Sequence, residues 1–323
     1  MLRCLGATFV QKQTRSSTMT DEIHALVITY NRRELLLRNI AALKAQTHPL
    51  KSIVIIDNGS TDDTRTALAA LNDPLVDHVR LDPNIGPARG FHYGIDYVFA
   101  KRQMPWVWIM DDDVIPSETA LAELVAAYHR NFQRPDDVGF LVSQSVDDKG
   151  RANNVPTIDT RARHLGECAN WGEYLDQGMV SIRTAPISAL LMPRQTYQTF
   201  GNLNPEFVVW GEDTDLTFRI TEQRPGFLVG RSKILHLRSQ PGDISIFLEE
   251  DTRRVPNFYY LYRNMLYVRR RYVGPHAYFN GIVRGLVEAT QLAAAGKFWK
   301  AQIALRGVAA GIVWNPKPEA RHG

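Results

Sequence analysis

The stretch Trp106-Val107-Trp108-Ile109-Met110-Asp111-Asp112-Asp113 joins an apolar, aromatic-rich run to three consecutive carboxylates. The apolar run predicts a buried strand, and the carboxylates are expected where that strand ends. Crowded anions repel one another and resist burial unless a positive charge lies among them. Because alternate residues of an extended chain point to the same side, Asp111 and Asp113 are expected to reach one divalent cation, with Asp112 pointing elsewhere. A solvated acidic turn is the alternative interpretation.

The identity of the expected cation follows from its ligands. Carboxylate oxygens favour Mg²⁺ or Mn²⁺. Such an ion usually keeps coordination positions for phosphate oxygens, so the sequence predicts a nucleotide diphosphate as the companion ligand.

Composition indicates a globular protein of enzyme size with a mixed surface. The chain has 323 residues, of which 44% are hydrophobic, and its 34 acidic residues accompany a net charge of +4. This balance does not favour nucleic acid as a partner. Cys4 and Cys168 are too few for a disulfide or zinc framework, so the reducing cytoplasm is the expected compartment. No apolar run is long enough to predict a membrane span.

The first half of the chain alternates apolar strand patterns with helical patterns. This β-α-β-α order predicts an α/β fold with a mostly parallel, Rossmann-like central sheet that binds ligands at the carboxyl ends of its strands. A helix is expected from Phe91 to Phe99, between the last two of these strands. The predicted strands cover residues 25–29, 52–56, 78–81 and 106–110.

The later segments predict further strands and a helical end. Residues 184–192 are apolar and predict one buried strand, and the run from Gly211 to Asp215 is expected to open a helix that ends at Glu222. A strand is expected at residues 139–145, and another from 226–229 that continues toward 234–236. An irregular segment is expected at 147–170, and C-terminal helices near 256–266, 277–294 and 298–313.

Three regions are expected along the chain. Residues 1–20 are polar enough to predict a disordered leader, and Met19 is an alternative start. Residues 21–250 are expected to form one domain, with a nucleotide half to about residue 120 and an acceptor half after it. Residues 251–323 are expected to form a helical C-terminal region.

Five separated segments carry a resemblance to a known family. In order along the chain they are Val27-Ile28-Thr29-Tyr30-Asn31-Arg32, Ile56-Asp57-Asn58-Gly59-Ser60, Asn84-Ile85-Gly86, Asp111-Asp112-Asp113 and Trp210-Gly211-Glu212-Asp213-Thr214-Asp215. As an ordered set they resemble family 2 glycosyltransferases of the inverting GT-A fold. The resemblance implies a metal-dependent enzyme that transfers a sugar from a nucleotide donor.

Within that family the chain looks most like bacterial galactofuranosyl- and rhamnosyltransferases, and the segment from Tyr259 to Asn264 adds to this likeness. The resemblance implies transfer of galactofuranose from UDP-galactofuranose to a bacterial cell-surface glycan or its lipid-linked precursor. Rhamnosyl transfer from dTDP-rhamnose is the alternative, because Pro87-Ala88-Arg89 stands where galactofuranosyltransferases often carry more glycine. A nucleotidyltransferase and a non-catalytic glycan-binding module are the rival classes.

The resemblance also assigns residues to the donor. Asp57 would accept from the imide N–H of a uracil or thymine base, although an Asx turn or helix cap is an alternative role. Thr29 and Asn31 would touch the nucleotide, and Asp112 the ribose or donor sugar. The Asn84 loop and Arg89 would lie near the diphosphate, although a solvated arginine at the start of a helix is an alternative role for Arg89.

The metal ligands are expected to be Asp111, Asp113 and His236. A lone histidine after a strand is often structural, but the resemblance makes His236 a candidate ligand. An imidazole beside two carboxylates suits Mn²⁺ better than Mg²⁺.

Inverting transfer needs a base that removes the acceptor hydroxyl proton. Asp213 is the expected base, held with Glu212 in the first turn of a helix, where backbone N–H groups favour ionised carboxylates. Glu212 or Asp215 would orient acceptor hydroxyls, and Trp210 would stack on a sugar ring. A helix-capping cluster is the alternative role of these acids.

The C-terminal helices are aromatic and basic. They are expected either to pack on the domain or to contact an anionic membrane that carries a polyprenyl-diphosphate-linked acceptor. A homo-oligomer is possible, and the sequence does not decide the oligomeric state.

Overall fold

The structure, a computed structural model, describes residues 22–162, 169, 171–237 and 244–317. The predicted leader at residues 1–20, with its alternative start at Met19, lies outside the described residues. Cys4 and Cys168 also lie outside them.

A single ten-stranded sheet organises the described chain. Its strands follow the order β3-β2-β1-β4-β9-β6-β10-β8-β7, and β5 pairs with β10 beside this path. The strands are β1 (Ile23–Thr29), β2 (Ser52–Asp57), β3 (Val76–Arg80), β4 (Trp106–Asp111), β5 (Val114–Pro116), β6 (Phe140–Val146), β7 (Thr157–Ile158), β8 (Met179–Thr184), β9 (Leu190–Pro193) and β10 (Gly226–His236).

The first half of the sheet is parallel, as predicted. β1 pairs in parallel with both β2 and β4, and β2 with β3. Every residue of β1 is buried, because helices cover both faces of the sheet. Buried parallel strands require continuous apolar runs, and this requirement explains why the sequence identified them. The α/β fold class is therefore confirmed.

The second half of the sheet is mixed. β9 runs antiparallel to both β4 and β6, whereas β10 is parallel to β6 and antiparallel to β8 and β5. The prediction of one strand at residues 184–192 was wrong. β8 ends at Thr184 and β9 begins at Leu190, with Pro186 between them, and proline cannot donate a ladder hydrogen bond.

Nine α-helices accompany these strands in the described residues. α3 begins at Pro87 rather than at the predicted Phe91, since proline already has the backbone angle that the first helical turn needs. No helix was expected at residues 120–131, where α4 lies. The helices are α1 (Arg33–Lys44), α2 (Thr64–Leu71), α3 (Pro87–Asp96), α4 (Ala120–Asn131), α5 (Arg194–Phe200), α6 (Glu212–Thr221), α7 (Phe258–Val268), α8 (Pro275–Ala294) and α9 (Phe298–Val313).

The C-terminal helices pack on each other and on the sheet domain. Tyr272, which follows α7, stacks on Phe218 of α6 with ring centres 5.0 Å apart. Trp314 lies edge-on to Phe207 at 5.1 Å. Among the described residues, no helix combines the length and apolar character needed to cross a membrane. The domain boundary near residue 250 stays a prediction.

Candidate active site

The predicted carboxylate pair comes together, but by a different route from the one expected. β4 ends at Asp111, and Asp112 and Asp113 form the turn that leads into β5, so alternation along an extended strand does not align them. The turn instead brings Asp113 back toward Asp111. Ligand atoms of Asp111, Asp113 and His236 all lie within 4.8 Å of one another.

Strand pairing places His236 beside these acids. β10 runs antiparallel to β5 with His236 opposite Val114, and the Leu237 N–H donates to the Asp113 carbonyl at 2.9 Å. His236 Nε2 lies 3.1 Å from Asp113 Oδ1. This contact does not meet hydrogen-bond geometry, and no described residue donates to that buried oxygen. A buried carboxylate oxygen without a donor is free to bind a cation.

Asn154 fixes the other side of the imidazole. Its side-chain amide lies 2.9 Å from His236 Nδ1 and 3.0 Å from Ser188 Oγ. This contact holds the imidazole ring in its orientation beside Asp113. Neither Asn154 nor Ser188 was expected, because both lie in irregular segments that no local pattern connects with His236.

Arg32 supplies a positive charge that was not expected at this site. Its guanidinium donates to Asp113 Oδ2 at 2.7 Å and to Asp112 Oδ1 at 3.2 Å. Thr29 Oγ1 donates to the remaining Asp112 oxygen at 2.7 Å. Asp112 is thus held by protein groups and turned away from the other two acids. Because β1 and β4 are neighbours, the arginine that follows β1 was the signal available in the sequence.

These neighbours shift the pKa values of the three acids in different directions. Burial, and then repulsion from Asp113 and Asp112, raises the pKa of Asp111 well above its ordinary value. Burial also raises the pKa of Asp112, to about 6, against the effect of Arg32. For Asp113 the effect of burial is outweighed by His236 and Arg32, so its pKa is lowered. A divalent cation would relieve the crowding at Asp111, and the donor set of two carboxylates and an imidazole fits one.

The predicted catalytic acids lie in the first turn of α6. Gly211 precedes them in a left-handed conformation with φ of 97°. Asp213 Oδ1 accepts hydrogen bonds from the N–H and the hydroxyl of Thr214, at 2.6 and 3.1 Å. Burial raises the pKa of Asp213. Burial, and then the charge of Asp213, raises the pKa of Glu212 to about 8.

The segment before α6 is strained and is held by α7. Val208 and Trp210 have φ of 69° and 62°, which is unusual for a β-branched or bulky residue. The Asn264 side-chain amide donates to the carbonyls of Phe207, Val209 and Trp210, at 2.9, 3.1 and 2.7 Å. We call this arrangement the Asn264 clamp. Only the family resemblance had drawn attention to the segment containing Asn264.

One cleft collects the candidate cation ligands and the predicted catalytic acids. It has a volume of about 510 Å³, and its wall includes Trp210, Leu261 and Met265 as well as Arg32 and the acids. Asp111 and Asp213 are close enough for the charge of Asp213 to raise the pKa of Asp111. Trp210 contacts Phe258 edge-on at 5.1 Å and still lines the cleft, as its predicted role at a sugar ring requires.

The residues predicted for the nucleotide mostly bond within the protein. Asp57 is fully buried, with Oδ2 2.7 Å from Arg80 and Oδ1 accepting from the Ser60 N–H at 2.8 Å. The second bond is the alternative Asx-type role. Asn31 Oδ1 accepts from the Thr61 N–H at 2.7 Å. Base recognition by Asp57 stays a prediction, and Arg80 would have to share its carboxylate with the base.

The loop at Asn84 packs tightly against the end of β2. Asn84 Oδ1 accepts from the Gly86 N–H at 2.7 Å. A Cβ on Gly59 would lie 2.6 Å from the Asn84 nitrogen, so glycine is required there, and its φ of 80° requires it as well. Arg89 is exposed in the first turn of α3 and does not line the cleft.

The structure does not bring Asp215 to the predicted acceptor site. Its carboxylate is buried, lies 3.1 Å from Arg219 and accepts from the Tyr272 hydroxyl at 2.8 Å. Asp215 points from α6 toward the C-terminal helices, one turn away from the cleft. Its predicted contact with acceptor hydroxyls is therefore not supported by its position.

Comparisons with known proteins agree with this geometry. Residues 25–166 match the family model described as glycosyl transferase family 2. The chain is 29% identical over 113 residues to galactofuranosyltransferase GlfT1 of Mycolicibacterium smegmatis. That match covers 35% of this chain and 37% of the relative, so the chain aligns with little more than a third of that protein.

Two solved structures share the fold at low sequence identity. TarS from S. aureus in complex with UDP superposes with a TM-score of 0.51 at 14% identity, over 84% of this chain and 70% of that one. The mannosyltransferase PcManGT from Pyrobaculum calidifontis, in complex with GDP-Man and Mn²⁺, gives a TM-score of 0.52 at 16% identity. That match covers 92% of this chain and 76% of the other. Both similarities bear on the fold alone.

Proposed function

We propose that this chain, whose residues 25–166 match the family model of glycosyl transferase family 2, transfers a sugar from a nucleotide-diphosphate donor to a hydroxyl of a glycan acceptor, with inversion at the anomeric carbon. One observation carries the proposal. Asp111, Asp113 and His236, the proposed cation ligands, line the same cleft as Asp213. Asp111 and Asp213 are near enough to interact electrostatically.

Asp213 is the proposed base. It would accept the proton of the acceptor hydroxyl as that oxygen attacks, and the two Thr214 hydrogen bonds hold its carboxylate in place. Glu212 has a pKa of about 8, so it is suited to donate a hydrogen bond to the acceptor near neutral pH. This division of roles follows from two adjacent carboxyl groups in different environments.

The proposed cofactor is Mn²⁺ or Mg²⁺, held by Asp111, Asp113 and His236. When bound, such an ion neutralises charge that develops on the leaving diphosphate. The imidazole favours Mn²⁺. Arg32 lines the same cleft and can add a fixed positive charge near the phosphates.

UDP-galactofuranose is the proposed donor, because the curated relative GlfT1 is named a galactofuranosyltransferase. The proposed acceptor is a bacterial cell-surface glycan or its lipid-linked precursor at the cytoplasmic face of the membrane. dTDP-rhamnose remains the second candidate donor. The expected role of Asp57 at the base of the nucleotide fits either pyrimidine donor.

A screen of nucleotide sugars, scored by release of the nucleotide diphosphate, tests the proposal. Release with an acceptor present should require Mn²⁺ or Mg²⁺ and should be strongest with UDP-galactofuranose. Asp213→Asn should lower kcat by about 100-fold or more, the range expected for loss of a general base, while donor binding is kept. Asp215→Asn is the matched control, because Asp215 lies outside the cleft.

Two results would contradict the proposal. Unchanged turnover in Asp213→Asn would leave Asp213 as a helix cap. If no nucleotide sugar protected the protein against thermal unfolding with either metal present, the assignment of the cleft to a sugar donor would fail.

A further inference from the structure

Helix α8 exposes an apolar stripe on the side that faces away from the protein. Its inner side is made of Gly281, Gly285, Ala289 and Leu292, all of which are buried. On the outer side, Phe279 and Val283 are 63% and 58% exposed, and Leu286 and Val287 are exposed as well. The positions 279, 283, 286 and 287 lie on one side of a helix. The stripe therefore has no partner among the described residues.

Helix α9 repeats this pattern. Phe298, Leu305 and Ile312 recur every seven residues and are all exposed, with Phe298 at 71%. The inner side of α9, which includes Ala304 and Val308, is buried. Exposed apolar side chains concentrated on neighbouring helices, rather than scattered singly, indicate an interaction surface. We call the exposed sides of α8 and α9 the outer face.

Unpaired basic residues accompany these stripes. Glu288 is the only acidic residue between Phe258 and Lys317. Arg284 and Arg306 are exposed and form no ion pair with any described residue. Burial, and then the charge of Arg284, lowers the pKa of Arg269, so two like charges lie close together without an acid between them. This distribution favours an anionic partner.

An aromatic cleft opens beside the same helices. It has a volume of about 440 Å³ and is lined by Tyr259, Tyr260 and Trp299 together with Arg306. Tyrosine and tryptophan suit a boundary between water and lipid, since each combines an apolar ring with a polar group. Arginine can keep its charged end in the headgroup region while its stem lies on apolar surface.

We propose that the outer face binds the surface of an anionic lipid bilayer, with α8 and α9 lying in the interface rather than crossing it. A second copy of the chain fits less well, because a two-fold contact would place two basic faces together, with Glu288 as the only acid that the sequence supplies on each side between Phe258 and Lys317. The apolar stripes would enter the headgroup boundary and the arginines would meet lipid phosphates. This inference does not rest on the transferred sugar or on the chemistry of the cleft.

Vesicle co-sedimentation of the full chain tests the proposal. The probes are vesicles of phosphatidylcholine alone and vesicles that also contain phosphatidylglycerol. Binding should be strong only to the second kind and should weaken as salt is raised. Arg284→Gln and Arg306→Gln should each weaken the partition by about 5-fold, the effect of one basic residue near an anionic surface. Val283→Ser with Leu305→Ser should weaken it further.

Matched controls come from α2, another surface helix. Arg65→Gln and Leu71→Ser change an exposed arginine and an exposed leucine there and should leave vesicle binding unchanged. Equal binding to both kinds of vesicle, or no binding to either, would overturn the proposal. Self-association that the α8 and α9 substitutions abolish would overturn it in favour of a second copy. Nucleotide release with a soluble acceptor should persist in every variant, which separates this test from the test of sugar transfer.

Discussion

At the scale of single residues, the three consecutive aspartates have three different environments. Asp111 is crowded by its neighbours, Asp112 is bonded to Thr29 and Arg32, and Asp113 lies against His236. We therefore expect Asp113→Asn to weaken Mn²⁺ binding by about 100-fold or more, since even residues that only orient a ligand often cost 10–100-fold. Isothermal titration with Mn²⁺ in the absence of donor measures this effect.

Asp112→Asn is the control for that measurement. It removes the same charge from the adjacent position, but Asp112 does not belong to the cation-binding set. Its affinity for Mn²⁺ should stay within a few-fold of the original. Equal losses in the two variants would mean that the total charge of the turn, rather than the position of Asp113, attracts the ion.

At the scale of elements, the first turn of α6 depends on a distant helix. The Asn264 clamp from α7 bonds three carbonyls of the strained segment before Glu212, of which the Phe207 carbonyl also accepts from the Val209 N–H at 2.8 Å. Asn264→Ala should therefore cost about 1–3 kcal/mol of stability through unsatisfied buried carbonyls. It should also lower kcat on the order of 100-fold, because relaxation of the segment displaces Asp213, while the KM for donor stays near its original value.

Asn202→Ala is the matched control for the clamp. Asn202 is also fully buried, and its amide donates to the His92 carbonyl and to Asp96, both at 2.8 Å. This variant should lose comparable stability. Its kcat should stay unchanged when it is assayed at a temperature well below its melting temperature. If both variants lost kcat in proportion to stability, the clamp would be a stabilising contact with no influence on the position of Asp213.

Some of these elements could be predicted from the sequence, and their long-range contacts could not. β1, β2 and β4 were recognisable because a strand buried on both faces must be apolar throughout. The three C-terminal helices were recognisable from their helical spacing. Three other features join segments that are far apart in the chain. They are the pairing of β9 between β4 and β6, the approach of His236 to Asp113, and the Asn264 clamp. Local periodicity carries no information about such contacts, and propensity identified neither Arg32 nor Asn154.

At the scale of the whole molecule, burying an acid makes stability depend on pH. The pKa of Glu212 is raised from 4.5 to about 8 by burial and by Asp213. Between these values the unfolded chain loses the proton while the folded chain keeps it, so this group contributes less stability as pH rises through that window. Glu212→Gln cannot ionise. The melting temperature of the variant should therefore exceed that of the original by more at about pH 8 than at about pH 5.

Thermal unfolding without divalent ions measures that difference. Asp213→Asn should flatten the pH dependence in part, since the charge of Asp213 is the second cause of the raised pKa of Glu212. Glu212→Gln and the original could instead differ in melting temperature by the same amount at both pH values. That result would contradict the assignment of a protonated Glu212 to the folded state.

The position of Arg32 has a consequence for how the molecule assembles. A guanidinium bonded to two of the three aspartates acts as a built-in counterion, so these acids can be enclosed before any dication arrives. The chain can then fold before it binds a metal ion, and the metal-free protein is already folded when the ion arrives. An arriving ion would have to compete with this tethered monovalent charge, and the competition would weaken its binding.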